Sequence, residues 1–108
     1  MTPSYYDRDG RPMSDTLAWA KRFEETTYKR IAETTLPDGK WISTVWLGLD
    51  HSFGRGPPLI FETMVFKDRE NLREVDVERY ATEAEAREGH ERMVTKWSRP
   101  GFTGDEIL

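Results

Sequence analysis

The sequence predicts an α+β domain: a four-stranded antiparallel sheet flanked by an N-terminal and a C-terminal helix. Helical periodicity is confined to two stretches, one near each end of the chain. Between them lie runs rich in Val, Ile, Thr, Trp and Phe, punctuated by turn residues. With both helices at the ends, none is left to cross over between strands, so an antiparallel sheet packed by helices is the simplest architecture.

Tyr5 to Met13 reads as a short extended arm with a turn at Asp9-Gly10. Ser14 is a suitable helix cap, with Asp15 adding favourable charge to the first turn. The first helix is expected from Asp15 to Glu25, with Trp19 and Phe23 one helical turn apart on the same face. Thr26 and Thr27 favour an exit into extended chain. A first strand is expected from Tyr28 to Leu36. Pro37-Asp38-Gly39-Lys40 then makes a hairpin turn, since proline fixes φ and Asp-Gly accepts hairpin geometry.

The second strand is expected from Trp41 to Leu49. One face carries Trp41, Ser43, Val45, Leu47 and Leu49, and the other Ile42, Thr44, Trp46, Gly48 and Asp50. Large apolar groups on both faces predict a central strand or one covered on both sides. Leu59 to Phe66 forms the third strand, interrupted chemically by Glu62 and Thr63. After the charged loop Lys67 to Arg73, Glu74 to Ala81 reads as an edge strand. There Val75 and Val77 alternate with Asp76, Glu78 and Tyr80, which predicts one wet face. Thr82-Glu83-Ala84-Glu85 is a capping box opening a second helix, Glu83 to about Trp97. Its inward stripe is Ala86, His90, Met93 or Val94, and Trp97. The residues after Ser98 read as a flexible tail or an arm onto a neighbour.

At 108 residues, with 36% hydrophobic and 33% charged residues, the chain suits a single domain (1–108) with one modest core. No cysteine is present, which excludes disulfides, zinc fingers and thiol catalysis and fits a cytoplasmic protein. No stretch is apolar enough to span a bilayer, and no membrane partner is expected. The net charge of -4 argues against broad attraction to nucleic acid.

The stretch Asp50-His51-Ser52-Phe53-Gly54-Arg55-Gly56-Pro57-Pro58 is the most unusual segment. Its glycines permit positive φ and its prolines stiffen the exit. Phe53 and Arg55 on such a bend suit a protein contact or an anion; a tight structural corner explains the glycines and prolines equally well. No Gly-Lys-Ser or Gly-Lys-Thr follows, so it is not a phosphate-binding loop. Contact residues are therefore expected at Tyr6, Phe53, Gly54, Arg55 and Gly56, with the tyrosine arm anchoring on a partner. A rival site uses His51, Glu62 and His90. A carboxylate inside the apolar run Ile60 to Met64 needs a partner, and His51, His90, Arg30 and Arg79 are candidates. If Glu62 met a histidine, the pair would suit metal binding or proton transfer. His90-Glu91 lacks the second histidine of a zincin motif. Gly89 permits a close approach to the second helix. The four tryptophans suit a small core better than a ligand cage.

The runs Ser43-Thr44-Val45-Trp46-Leu47-Gly48-Leu49-Asp50-His51, Phe53-Gly54, Gly56-Pro57-Pro58 and Ile60-Phe61-Glu62-Thr63-Met64 together resemble a small uncharacterised family. Its members are encoded by bacteriophages and their actinobacterial or proteobacterial hosts. Tyr80, Thr82 and Gly89-His90 fit the same likeness, which spans residues 5 to 95. The resemblance implies a phage or prophage accessory protein and carries no catalytic mechanism. The expectation is a small intracellular protein acting through protein contacts, as a homo-oligomer or on another protein, with no cofactor. The alternative is a small metal-dependent or acid-base enzyme.

Overall fold

A computed structural model describes residues 5–52, 54 and 56–99. The arm folds back on itself. β1 (Tyr5–Tyr6) pairs antiparallel with β2 (Pro12–Met13) across a turn at Gly10, where φ is 86°. α1 (Thr16–Glu24) begins one residue later than expected. Asp15, rather than Ser14, is its cap and accepts the Leu17 N–H at 2.9 Å, placing a full negative charge at the positive helix end.

The expected exit at Thr26 is instead a short helix, α2 (Thr26–Lys29). Tertiary contact overrides the strand preference of the threonines. The extra turn seats Tyr28 edge-on against Trp46, with ring centroids 5.0 Å apart, and Arg22 lies over the Tyr28 ring at 4.9 Å.

The sheet comprises β3 (Arg30–Thr35), β4 (Trp41–Trp46), β5 (Phe61–Phe66) and β6 (Glu74–Tyr80), antiparallel and in that order. The β3–β4 turn closes with Leu36 N–H to Lys40 O at 2.8 Å and Gly39 at φ 97°. β4 stops at Trp46, not Leu49. Gly48 turns the chain at φ 73°, and a Cβ there would lie 2.5 Å from Trp19 Nε1 and from Trp46 Cζ2. Beyond it the arm takes over the pairing: Tyr6 N–H donates to Gly48 O, and Leu49 bridges Tyr5. β5 starts at Phe61, although Ile60 N–H still reaches Tyr80 O.

α3 (Glu83–Ser98) lies across one face of all four strands. Thr82 caps it, accepting from Glu85 N–H. It buries Ala86, Gly89, His90, Met93 and Trp97, the expected stripe. The core falls into two clusters on this side. Tyr6, Ile31, Trp46, Ile60, Phe61, Tyr80 and Ala86 form one, joined by Trp19, Phe23 and Tyr28 from the N-terminal elements. Leu36, Ile42, Val65, Met93 and Trp97 form the other.

One expectation is corrected here. Tyr6 is not a free anchor: it is 8% exposed, and its carbonyl accepts the Trp46 indole N–H at 2.9 Å. On β6 the acidic side is the one beneath the helix. Asp76, Glu78 and Tyr80 point toward α3, where Asp76 meets Lys96 and Trp97 and Glu78 meets Arg92. Long helix cations reach the strand margin and neutralise the acids there. Val75 and Val77 are left on the opposite face.

Candidate functional site

The Asp50–Pro58 bend is built first as a corner. Asp50 Oδ1 accepts the N–H groups of Ser52 at 2.7 Å and Leu59 at 3.1 Å, tying its two ends together. Burial alone pushes this carboxyl up. The Ser52 hydroxyl and N–H, with the Leu59 N–H, outweigh that and hold it below its ordinary value. His51 donates its backbone N–H to Leu59 O and is half-buried. Gly54 and Gly56 are exposed with φ of 80° and 69°. Phe53 and Arg55, also expected as contact residues, lie outside the described residues.

His90 belongs to a buried polar chain beneath α3. Its Nδ1 lies 2.7 Å from Thr44 Oγ1 and its Nε2 2.8 Å from Thr34 Oγ1. Thr44 contacts Thr63, and Tyr80 donates its hydroxyl to Thr63 at 3.0 Å. Each member is satisfied by another, as a buried polar network requires. Burial lowers the His90 pKa, keeping the ring neutral, and pushes Tyr80 up to about 12. The neighbour that Gly89 admits is the Tyr80 ring.

Glu62 lies on the other side of the sheet. Thr63 pairs with Thr44 on the helix side, so its neighbour Glu62 faces away, paired with Val45. Its partner is Arg79, at 3.0 Å. Glu62 and His90 are therefore separated by the thickness of the sheet. Among the described residues, no hydrogen bond joins His51, Glu62 and His90, and no group of three or more His, Asp or Glu side chains could hold a metal ion.

The helix-free face is the feature that residue-by-residue reading missed. Strand register arranges it in three rows. Thr35, Trp41 and Phe66 form the first, with Glu74 at the margin; Glu33, Ser43, Met64 and Val77 the second; Arg30, Val45, Glu62 and Arg79 the third. Trp41 stacks on Phe66 at 5.3 Å, and Arg69 reaches over the Trp41 ring at 4.5 Å. Arg30 and Arg69 both bind Glu33. No described helix or strand covers this face, and Val75 and Val77 are each 41% exposed. The signal was present in the sequence: strands apolar on both faces, with few helical residues to cover them.

Two hollows accompany these surfaces. A groove of about 650 Å³ lies between β6 and α3, beside Glu78, Glu88, Arg92 and Lys96. A smaller hollow of about 210 Å³ is lined by Tyr6, Pro57, Pro58 and Ile60. Within the groove Arg92 pairs with Glu78 at 2.6 Å, and Lys96 is drawn to Asp76. No helix of the described residues is long and apolar enough to cross a membrane. Comparison of the chain with protein-family models, with curated proteins and with solved structures gives no match.

Proposed function

We propose that this chain is a small accessory protein that works by protein contact, through the helix-free face of its sheet. One observation carries the reading: a sheet face with Trp41, Val45, Met64, Phe66, Val75 and Val77 that no described element covers. An apolar patch rimmed by charged residues, here Arg30, Glu33, Arg69 and Arg79, marks an interaction surface. The exposed Gly54 and Gly56 leave the bend available as a further contact element. The likeness to phage and prophage proteins supplies a setting, an accessory factor acting in the cytoplasm of a bacterial cell. Acid-base or metal chemistry by His51, Glu62 and His90 finds less support, because the last two face opposite sides of the sheet.

The test is a photo-crosslinking residue placed at Val77 in the full chain, expressed in its own cell, with Leu17 as the control site. Leu17 is more exposed, at 73% against 41%, so exposure alone favours the control. The contact reading expects protein adducts at position 77 well above those at 17. Equal or absent adducts at 77 would refute it.

A further inference from the structure

We infer that the occupant of the helix-free face is a second copy of this chain, giving a two-fold sandwich with an α3 on each outer side. This rests on the contact reading and names its partner.

Area supports a pair. By strand spacing and rise, four strands of six or seven residues present a face about 20 Å by 20 Å. Two such faces, with their corrugation, bury roughly 1,000 Å² in all, about the minimum for a biological interface and in the range of weak pairs. The face has the form of a pleated sheet, which packs on another sheet. Sheets stack face to face about 10 Å apart, with strands near 30° to one another. A two-fold pair uses the same patch twice and closes without leaving a free face.

Charge supports it too. The whole chain carries -4, and the outward side of α3 displays Glu85, Glu88 and Glu91. The exposed Arg87 and Arg92 stand among these acids, so that side is mixed in charge. On the sheet face Arg30, Arg69 and Arg79 balance Glu33, Glu62 and the marginal Glu74. It is a near-neutral surface on an acidic protein, where a second copy meets little repulsion. Glu62 is 6% and Ser43 7% exposed although no described helix or strand lies above them, so their bulky neighbours have already removed much of their water.

The deciding experiment is sedimentation equilibrium of the purified full chain over about a thousandfold concentration range centred on micromolar, where modest interfaces dissociate. Wild type and L17K are expected to reach the mass of a pair. V77K and V75K, each placing a charge at a site already 41% exposed, are expected to remain single while keeping the wild-type circular dichroism. At least a hundredfold weakening is expected. A wild type that stays single throughout would overturn the inference, as would a V77K or V75K protein that pairs as tightly as wild type. The crosslink at position 77 then separates the two failures. An adduct with a different protein would leave the contact reading standing. An adduct within the same chain, mapped to residues 100–108 with their Phe102, Ile107 and Leu108, would assign the face to the chain's own end. No adduct at all would remove both.

Discussion

Gly89→Ala is the substitution whose sign tells most about the packing of α3. In an exposed helix interior the change stabilises, because alanine exceeds glycine by about 1 kcal/mol in helix propensity. Here a Cβ would collide with Cε1, Cζ and Oη of Tyr80, the distal part of a ring fixed on β6. Overpacking of this kind costs about 1–3 kcal/mol. Moving the ring also endangers the Tyr80–Thr63 hydrogen bond, worth about 1 kcal/mol. The clash and the lost bond exceed the propensity gain, leaving a net loss of about 1–3 kcal/mol. Urea denaturation of the two proteins reads this directly. The same change in a Tyr80→Leu background is the control, since leucine lacks the three colliding atoms. There Gly89→Ala should become neutral or stabilising by up to about 1 kcal/mol. A G89A protein as stable as wild type would refute the close approach of helix and strand.

Acid should weaken the fold in two stages. Burial holds the His90 pKa below its ordinary 6.5, so the folded state prefers the neutral ring. That contribution is complete above 6.5 and is lost as pH falls below it, with a slope of at most about 1.4 kcal/mol per pH unit. Asp38, Asp50, Asp76 and Glu83 are also held low, but their contributions are lost only below their ordinary 3.8 to 4.5. Urea midpoints at about pH 7 and about pH 5 should therefore differ for wild type and agree for H90Q. Equal pH dependence in both would locate the effect elsewhere. On the other face, R79A should cost more than E62Q. The first strands a buried carboxylate, at about 1–3 kcal/mol after discounting for the partly exposed arginine, whereas the second leaves an amide that still accepts from Arg79. Denaturation showing the reverse order would mean that Glu62 does not depend on Arg79.

Much of the fold was legible because local signals agreed with tertiary needs. Pro37 to Lys40 is a hairpin turn by its own chemistry, and Thr82 to Glu85 starts a helix wherever it is placed. The stripe from Ala86 to Trp97 required only helical spacing. What was not legible depended on partners distant in sequence. Thr26 to Lys29 is helical because Tyr28 must reach Trp46. Tyr6 looked like a free aromatic arm, yet the Trp46 indole holds its carbonyl. Alternation along β6 separated valines from acids correctly but could not say which set met α3. The choice fell to Lys96, Trp97 and Arg92, which pair with the acids. His51, Glu62 and His90 could be named from residue type alone, whereas their dispersal follows from the register of β4 against β5.

Met64 reports most directly on the central claim. It lies in the middle row of the helix-free face and is half-buried there, while Met13 is half-buried at the N-terminal cluster and serves as an internal reference. Hydroxyl-radical oxidation of the purified protein, read residue by residue by mass spectrometry, compares the two. If the face is an interface, Met64 is protected relative to Met13 in wild type and becomes reactive in V77K. If Met64 oxidises in wild type as readily as in V77K, the helix-free face is bare in the purified protein and pairing of two copies through it is wrong.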